Sequence, residues 1–581
     1  LQVLAGLVPV AFVIATSAVV SRVPGAVGHG LHSAEWRALR DALLVTGGLF
    51  VLEQLVSPFQ FTIAEALAWR VDDALRERIL HASFLPVGTS LLEEQQSLDD
   101  LTDVVDPTRG AGFTAGSACA GLLALIARYV RWATSAVLVG VVYAWWAAAA
   151  LALAALAVRV GIRSGLGRLA AYERSFAPQR RRRNYLARLL THPSAAKEVR
   201  IFGLVPWLQA RFRTAALDAV VPVWKVRRRT VVRPYVLSVP LSLVLSGLVT
   251  VAVARAAAHG DLTLGRLAFV LQAMLLIGTL GQFFNECDFQ TELGMSSYEA
   301  LRRFETAAEQ QAYAPAATPA DVSGAPRDAI RFEDVRFAYP GSARRVLDGL
   351  DLTIPAGRSL AVVGLNGAGK TTLVKLLARL VEPDAGRIAV DGIDLRDVDP
   401  EAWRARLGAI FQDFLHYELS VLDNVGFGAP RLVGDRERIG AVVERVGADE
   451  FVQTLPRRYE TTLARSYEDG ADLSGGQWQR LAIARALMAV EDGAGVLVLD
   501  EPTANLDVRA EAAFYERFLD LTAGLTTILI SHRFSTVRRA DRIVVLADGR
   551  VAEEGTHDEL VAAGGRYAEM FRVQAERFGA A

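Results

Sequence analysis

Six long apolar runs occupy the first half of the chain and decide its predicted architecture. Each has about the twenty residues that a helix needs to cross a bilayer. They cover residues 1–20, 42–61, 114–132, 133–158, 232–258 and 264–284. A soluble helical bundle that buried six such runs would have to be implausibly large. The pattern therefore predicts six membrane-spanning helices, with a short polar turn between the third and fourth near Arg128 and Arg131.

Basic residues are shared unevenly between the loops. Residues 159–233 hold 18 Lys and Arg, whereas the loops on the opposite side hold few. Since Lys and Arg collect in cytoplasmic loops, this segment and both chain ends are predicted to be cytoplasmic. The segments 64–110 and 159–232 are interpreted as helices that continue the spans beyond the bilayer and reverse near Pro86 and Pro193. The chain begins at Leu1 rather than at a methionine, so the first span is expected to be truncated.

The character of the chain changes after residue 304. Residues 305–328 are rich in Ala, Pro and Gln and lack periodicity, which indicates a linker. Short β-branched strands then alternate with helices, the pattern of an α/β domain. We predict a transmembrane domain at 1–304, made of six helices with two long intracellular extensions, a linker at 305–328 and a second domain at 329–581.

A glycine-rich loop between a strand and a helix carries the clearest chemistry in the second domain. The apolar strand 359–364 leads into it, and the helix 373–380 follows. Its predicted phosphate-binding residues are Gly364, Asn366, Gly367, Ala368, Gly369, Lys370, Thr371 and Thr372. Glycines let successive backbone N–H groups point at phosphate oxygens. Lys370 is expected to reach the β- and γ-phosphates, and the Thr371 hydroxyl is expected to bind Mg²⁺.

A second apolar strand ends in two carboxylates. Residues 496–499 are followed directly by Asp500 and Glu501, some 130 residues after the glycine-rich loop. Open α/β sheets bind ligands at the carboxyl ends of their strands. We therefore expect Asp500 to hold Mg²⁺ and Glu501 to polarise the attacking water as a general base.

The sequence Leu473-Ser-Gly-Gly-Gln477 lies between these two motifs and precedes an Arg- and Ala-rich helix. With it, the chain resembles the ATP-binding cassette (ABC) transporters, whose signature it matches letter for letter. The resemblance covers the whole chain, because six spans followed by one cassette is the arrangement of exporter-type half-transporters. It implies a membrane helical bundle followed by an α/β P-loop NTPase domain, with ATP and Mg²⁺ as cofactors.

The resemblance also implies roles for single residues of the cassette. Tyr339 is similar to the aromatic residue that stacks on adenine. Gln412 is similar to the glutamine that touches Mg²⁺ and the attacking water. Asp507 matches the aspartate that links two ATP sites, and His532 matches the switch histidine at the γ-phosphate.

The signature implies a partner. Ser474, Gly475 and Gly476, with Gln477, would clamp the γ-phosphate of ATP held by a second cassette. Because all the catalytic side chains are present, a homodimer is favoured, and a heterodimer with another half-transporter remains open. Signature residue Gln477 is followed by Trp478, where many cassettes have Arg.

Charge and cysteine content exclude other classes of protein. A net charge of −1, from 63 basic and 64 acidic residues, leaves no basic field for nucleic acid. Two cysteines are too few for a disulfide scaffold.

The expected location is a plasma membrane, specifically a bacterial inner membrane. The chain is expected to cross it several times, with the cassette in the cytoplasm.

The cargo is the least determined part of the prediction. Polar residues inside apolar spans are candidates for a cargo path, here Glu53, Gln272, Gln282 and Glu286. We hypothesise that Glu53 and Glu286 face a central cavity and favour cationic or amphipathic cargo; hydrogen bonding between helices is the alternative.

The predicted function is ATP-driven export of a hydrophobic or amphipathic compound, lipid or peptide. An importer of siderophore-like cargo on the same fold and a non-pumping ATP-gated regulator are the alternatives.

Overall fold

A computed structural model describes residues 1–27, 32–105, 113–313, 319–342, 344–501, 522–531 and 537–579. The packing of the chain divides it into two compact units. Unit 1 comprises Leu1–Leu85 and Leu91–Gln310, and unit 2 comprises Pro86–Ser90 and Gln311–Ala581. The helix that crosses residue 304 continues to Gln310. The domain and linker bounds given above stay predictions.

Unit 1 is helical throughout its described residues. Its helices are α1 (Gln2–Val27), α2 (Ala34–Phe84), α3 (Ser90–Glu93), α4 (Gln95–Val105), α5 (Ala115–Val142), α6 (Trp145–Arg163), α7 (Leu166–Ser175), α8 (Ala177–Thr191), α9 (Pro193–Ile201), α10 (Val205–Arg227), α11 (Arg233–Ala258), α12 (Leu264–Gly278) and α13 (Asn285–Gln310). A π-helical turn, Arg228–Val232, joins α10 to α11. Six helical stretches among the described residues are long and apolar enough to cross a membrane, which confirms the six predicted spans.

The turn between the third and fourth spans lies further along the chain than predicted. Helix α5 continues past Arg128 and Arg131 and ends at Val142. The Trp145 ring folds back onto Gly140, where a Cβ atom would come within 2.5 Å of it. The prediction of a turn near the two arginines is wrong, because Arg128 and Arg131 donate hydrogen bonds to backbone carbonyls of neighbouring helices within the bundle.

The sixth span is interrupted instead of continuous. Helix α12 ends at Gly278, a 3₁₀ turn covers Thr279–Gly281, and the chain is extended until α13. The Arg128 guanidinium donates to the carbonyl oxygens of Thr279 at 2.7 Å and of Gln282 at 2.8 Å. It also lies 4.3 Å from the centre of the Phe284 ring. Carbonyl oxygens that lose their helical partners need such a donor wherever water is excluded.

Both predicted reversals of the intracellular segments coincide with helix breaks. Helix α2 ends at Phe84, two residues before Pro86, and α8 ends at Thr191, two residues before Pro193. A further break, at Phe202 and Gly203, separates α9 from α10. Proline cannot continue a helix from the preceding turn without losing a hydrogen bond, which explains the first two positions.

Unit 2 is an α/β domain with two sheets. The strands are β1 (Ala329–Phe337), β2 (Leu347–Pro355), β3 (Ser359–Gly364), β4 (Ala385–Val390), β5 (Ile393–Asp394), β6 (Leu407–Ile410), β7 (Val496–Asp500), β8 (Thr526–Ile530), β9 (Arg542–Ala547) and β10 (Arg550–Gly555). The helices are α14 (Lys370–Leu377), α15 (Pro400–Arg404), α16 (Val421–Gly426), α17 (Arg436–Arg445), α18 (Asp449–Val452), α19 (Gly475–Glu491), α20 (His557–Ala563) and α21 (Arg566–Gly579). This architecture confirms the predicted fold class.

The larger sheet positions the candidate site. Its strand order is β10-β9-β3-β8-β7-β6, and the four strands β3, β8, β7 and β6 are parallel to one another. Parallel strands are covered on both faces, which explains why β7 and β8 are continuous buried apolar runs. The carboxyl ends of these four strands therefore lie along one edge of the sheet. The smaller sheet is antiparallel, in the order β2-β1-β4-β5.

Two of the apolar cores against this sheet hold the helices that follow the motifs. Helix α14 packs with strands of both sheets in the first core, around Leu373 and Trp403. Helix α19 packs in the second core with α16 and α17, around Leu481 and Val442. The helix after the glycine-rich loop and the helix after the signature therefore belong to different packing clusters of unit 2.

Candidate functional site

The glycine-rich loop is shaped by glycines in the left-handed region of backbone space. Gly367 has a φ of 81°, and Gly369, the residue before α14, has a φ of 103°. A Cβ atom on Gly369 would also approach the Leu347 side chain to 2.7 Å. Only glycine adopts such a φ at no steric cost. The loop therefore curls tightly enough for its backbone N–H groups to face a common point, as phosphate binding requires.

Lys370 is folded back over this loop. Its side chain donates from Nζ to the carbonyl oxygens of Gly364 at 2.8 Å and of Leu365 at 3.2 Å. The residue is 8% exposed, and burial lowers the pKa of its ammonium group, although the charges of Glu501 and Asp500 oppose that shift. An ammonium group that is partly stripped of water gains from a nearby anion, so the site favours a phosphate.

Asp500 is a buried carboxylate at the carboxyl end of β7. It is 1% exposed, and neither of its oxygens accepts a hydrogen bond from any described residue. The Thr371 hydroxyl approaches it without reaching hydrogen-bond geometry. Burial raises the pKa of Asp500, and the nearby Glu501 carboxylate adds to that shift. A buried charge without partners is costly unless a cation binds it, so Asp500 and Thr371 fit a Mg²⁺ ion.

Glu501 has an uncommon backbone conformation. Its φ is 47°, in the left-handed region, and its backbone N–H donates to the Ile530 carbonyl at 3.0 Å. A non-glycine residue in this region stores strain, and such strain gathers at functional sites. The hydrogen bond fixes Glu501 at the end of β7, beside Asp500.

Two other predicted residues lie outside the described part of the chain. Asp507 falls within residues 502–521, and His532 falls within residues 532–536. Ser531, the residue before His532, is buried at the carboxyl end of β8. The predicted roles of Asp507 and His532 stay predictions.

The strand register brings the remaining catalytic candidates to the same edge of the sheet. Ile410 of β6 pairs with Leu499 of β7, and Asp500 pairs with Ile530 of β8. Gln412 follows β6 by two residues and is exposed. The glycine-rich loop follows β3, Gln412 follows β6, and Asp500 and Glu501 lie at the end of β7. All of these residues therefore lie at the same edge of the sheet.

A cleft of about 1240 Å³ opens beside the glycine-rich loop. Its walls include four residues of the loop, the buried Ser531 and the start of α21. The lining residues include Gly364, Asn366, Gly367, Ala368, Ser531 and Arg566. A cleft of this size has room for a ligand as large as a nucleotide.

Tyr339 packs against the helix that follows the loop. Its hydroxyl lies 3.2 Å from the Thr372 hydroxyl, and the Lys375 ammonium lies 5.3 Å from its ring centre. Phe337 contacts the ring edge-on, with centroids 5.0 Å apart. The predicted adenine-stacking residue is therefore held next to α14, and stacking itself stays a prediction.

The signature residues form a capped helix start. Ser474 precedes α19; its hydroxyl accepts from the Gln477 N–H, and the Gln477 side chain accepts from the Ser474 N–H at 2.8 Å. This reciprocal capping box gives Gln477 a structural role that the sequence prediction did not include. Ser474 and Gly475 are exposed, so the start of α19 lies at the surface of unit 2. An exposed N-terminus of a 17-residue helix is suited to bind an anion.

The four candidate cargo residues differ in their surroundings. Glu53 is half-buried on α2, within electrostatic reach of the Arg131 guanidinium. Gln272 is half-buried on α12, and Gln282 is exposed in the interruption of the sixth span. Glu286 lies in the first turn of α13, and its side chain falls outside the described part of the structure. A role of these residues in cargo binding stays a prediction.

Arg159 and Asp288 form a buried ion pair in unit 1. Their side chains are 2% and 0% exposed, and Asp288 also accepts from the Phe284 N–H at 3.1 Å. Arg128, described above, is another structural cation of this bundle. The only sequence signal for either arginine was its presence in or beside an apolar run, which does not reveal its partner.

Residues 347–504 match the family model described as "ABC transporter". The chain is 35% identical over 379 residues to an ATP-dependent lipid A-core flippase of Thiobacillus denitrificans, covering 65% of this chain and 63% of the flippase. It is 43% identical over 251 residues to a human mitochondrial potassium channel ATP-binding subunit, covering 43% and 33% of the two chains.

A solved structure extends the likeness to the whole chain. A bacterial Atm1-family ABC exporter with ATP bound aligns with 99% of this chain and 97% of its own, with a TM-score of 0.72 and 24% identity. At that identity the likeness concerns the fold. The chain spans less than two thirds of the length of the curated relatives described above, 63% of the flippase and 33% of the channel subunit.

Proposed function

The chain carries an ABC transporter domain and has the fold of an exporter-type half-transporter, and we propose that it uses ATP hydrolysis to move a lipid-like or other amphipathic compound across a membrane. The observation that carries this proposal is the Asp500 carboxylate, buried and without a hydrogen bond from any described residue, at the same sheet edge as the glycine-rich loop. A domain that only packed would not keep a charged group buried without a partner. The chain is accordingly a multi-pass membrane protein, and a bacterial inner membrane is the proposed location.

The residues of the sheet edge divide the work of hydrolysis. Lys370 leaves its two loop carbonyls and binds the β- and γ-phosphates, while the loop N–H groups hold the phosphate oxygens. Thr371, Asp500 and Gln412 hold Mg²⁺, which neutralises phosphate charge when it is bound. Glu501 takes a proton from the attacking water. Its strained backbone, tied to Ile530, keeps the carboxylate beside the phosphate site.

A second copy of the chain completes each ATP site in this proposal. The exposed start of α19 presents Ser474 and Gly475, and α19 packs in a different core from α14. Two cassettes arranged head to tail would place the α19 start of one copy over the phosphates on the other. The homodimer is preferred because Lys370, Asp500 and Glu501 are all present; a heterodimer remains the alternative.

The lipid-like class of cargo rests on the flippase relative. An alignment of 379 residues is longer than unit 2, so it extends into unit 1. The 251-residue alignment with the channel subunit is shorter than unit 2 and gives no comparable support for a gating function. Export rather than uptake is proposed for the same reason, since the relative with the longer alignment is a flippase.

Reconstitution into liposomes tests the proposal. The chain should hydrolyse MgATP and change the leaflet of a fluorescent phospholipid analogue, measured by dithionite quenching. Inside-out membrane vesicles given ATP should accumulate an exported amphipathic dye. Glu501→Gln should retain ATP binding and lose both activities.

Each result separates the proposal from its alternatives. Accumulation only in right-side-out vesicles with internal ATP would indicate an importer. A wild-type protein that binds MgATP without turnover, alone or with a second half-transporter, would contradict the proposed function. Loss of ATP binding in Glu501→Gln would contradict the role given to Glu501.

A further inference from the structure

An aromatic stack joins the signature helix to the segment that follows Gln412. The rings of His416 and Trp478 are 4.3 Å apart at their centroids and inclined by only 3°. Trp478 lies in the first turn of α19 and is 4% exposed, whereas His416 is exposed and covers it. Phe414 adds a third ring, 5.3 Å from His416. The unusual residue after the signature therefore has a partner in the sequence 413–420, here called the bridging segment.

A second contact fixes the bridging segment two turns further along the same helix. Arg485 is seven residues after Trp478, so both project from one face of α19. Its guanidinium lies 4.8 Å from the Tyr417 ring centre and donates to the Leu415 carbonyl at 3.4 Å. It also donates to the Asn424 carbonyl at 2.8 Å. The bridging segment is thus attached to α19 at two places.

The end of the bridging segment is also held from within. Asn424 is fully buried, and its side-chain amide donates to the carbonyl oxygens of Tyr417 at 2.9 Å and Ser420 at 3.0 Å. The bridging segment is therefore held by two contacts with α19 and by Asn424 of α16, and a densely packed segment of this kind transmits displacement.

The beginning of the bridging segment is fixed to the nucleotide edge of the sheet. Gln412 precedes it directly, and Gln412 follows β6, whose Ile410 pairs with Leu499 of the Asp500-bearing strand. A displacement of Gln412 must therefore pass along the segment to the His416–Trp478 stack. Trp478 is four positions after Ser474, the exposed residue that precedes the signature helix.

We propose that the His416–Trp478 stack is a positioning contact that carries a displacement of Gln412 at one ATP site to Ser474, which serves the second site of the dimer. This inference rests on the proposed function, because it needs two ATP sites. His416 and Trp478 touch neither nucleotide nor Mg²⁺ in this proposal; they act through Gln412 and Ser474. The stack makes hydrolysis at the two sites cooperative.

The electrostatic surroundings of His416 favour a neutral ring in the stack. Burial against Trp478 and its neighbours lowers the pKa of His416, and the positive charge of Arg485 acts in the same direction, while Asp472 opposes it. A neutral imidazole stacks on the indole as a flat apolar ring, so a phenyl ring should be able to replace it.

Three variants of the full-length, reconstituted protein test the proposal. His416→Ala removes the stack, His416→Phe keeps a ring in its place, and His557→Ala is a matched control. His557 has ring contacts of its own with Tyr567 and Phe571 in another part of unit 2. The measurements are the ATP dependence of hydrolysis, giving kcat, KM and the Hill coefficient, and the equilibrium binding of a fluorescent ATP analogue.

His416→Ala should lower kcat by about two- to tenfold, the range expected for the loss of one aromatic pair. Its Hill coefficient should fall toward one, while binding of the ATP analogue changes less than about twofold because the phosphate loop is untouched. His416→Phe should restore most of both losses, and His557→Ala should show neither.

Two results would overturn this inference. One is a His416→Ala protein with the wild-type kcat and Hill coefficient. The other is a His416→Phe protein as impaired as His416→Ala, which would assign the effect to the imidazole rather than to stacking. Either result leaves wild-type turnover intact and the proposed function standing, whereas absence of wild-type turnover would overturn the proposed function itself.

Discussion

Asp500 provides the most direct test of the candidate nucleotide site, because its burial and its function make opposite demands on stability. The perturbation is Asp500→Asn, which preserves the shape of the side chain and removes its charge. In the absence of nucleotide, the wild-type carboxylate is 1% exposed and neither oxygen accepts a hydrogen bond from any described residue. The variant should therefore be more stable than the wild type, and it should be inactive.

The expected size of the gain follows from the two unpartnered oxygens. An unsatisfied buried polar group costs about 1–3 kcal/mol, and more when it is charged. In a domain the size of unit 2, each kcal/mol changes Tm by about 2–4 °C. The Asn amide remains a buried polar group, so the gain comes only from the extra cost of the charge. If that extra cost is about 1–3 kcal/mol, the Tm of the nucleotide-free protein should rise by about 3–10 °C.

The pH dependence has a defined sign. Burial raises the folded-state pKa of Asp500 above its ordinary value of 3.8. The folded wild type therefore holds this proton more tightly than the unfolded chain, and its free energy of unfolding falls as pH rises between the two pKa values. The Tm difference between variant and wild type should grow across that window and stay constant above the folded-state pKa.

The assay is thermal unfolding of the detergent-solubilised full-length protein, followed by circular dichroism. Asp548→Asn is the control, because the Asp548 side chain is 90% exposed and its replacement should leave Tm unchanged. MgATP should raise the Tm of the wild type by binding to the folded state and raise that of Asp500→Asn much less. An Asp500→Asn protein that is less stable than the wild type without nucleotide would refute the reasoning, since Asp500 would then have a stabilising partner.

Two further predictions concern other parts of the molecule. Gly369→Ala should lower Tm and weaken ATP binding at least tenfold. The φ of Gly369 is 103°, and an added Cβ atom would lie 2.7 Å from the Leu347 side chain, so the substitution should cost about 1–3 kcal/mol in backbone strain. An unchanged ATP-binding isotherm would contradict this. Arg159→Met should destabilise unit 1 by about 3–5 kcal/mol by leaving a buried charge unpaired, whereas Arg159→Met with Asp288→Leu should recover most of the loss. The yield and Tm of the purified variants measure the stability changes in both predictions. If the double variant were no more stable than Arg159→Met, the ion pair would have a structural role beyond the mutual neutralisation of two buried charges.

Local sequence signals predicted the elements and the order of the motifs. A span, a buried strand and a glycine-rich loop each depend on residues that are close together in the chain. Gly369 and Lys370 could be identified because the φ that the loop needs and the charge that phosphate needs are properties of single residue types. The position of Asp500 at the carboxyl edge of the sheet followed from the general rule for open α/β sheets, whereas Gln412 was assigned from the family resemblance.

Features that depend on distant partners were not accessible in the same way. Arg159 and Asp288 are 129 residues apart, and nothing in either neighbourhood indicates the other. The same holds for His416 and Trp478, which are 62 positions apart in the numbering. Trp478 was recognisable as unusual, yet only the packing of the bridging segment on α19 showed what the indole contacts.

The misplaced turn shows why charge in an apolar run has two opposite interpretations. An arginine there can mark a loop that reaches water, or it can be the donor that makes an irregular backbone possible inside the bundle. Arg128 is the second case, because the carbonyls it binds belong to residues 279 and 282, where the sixth span loses its helical hydrogen bonds. Those carbonyls have no sequence signature, since every residue has a backbone carbonyl. The arginine and the helix break are therefore a single feature of the fold, and a span-by-span prediction necessarily treats them as two.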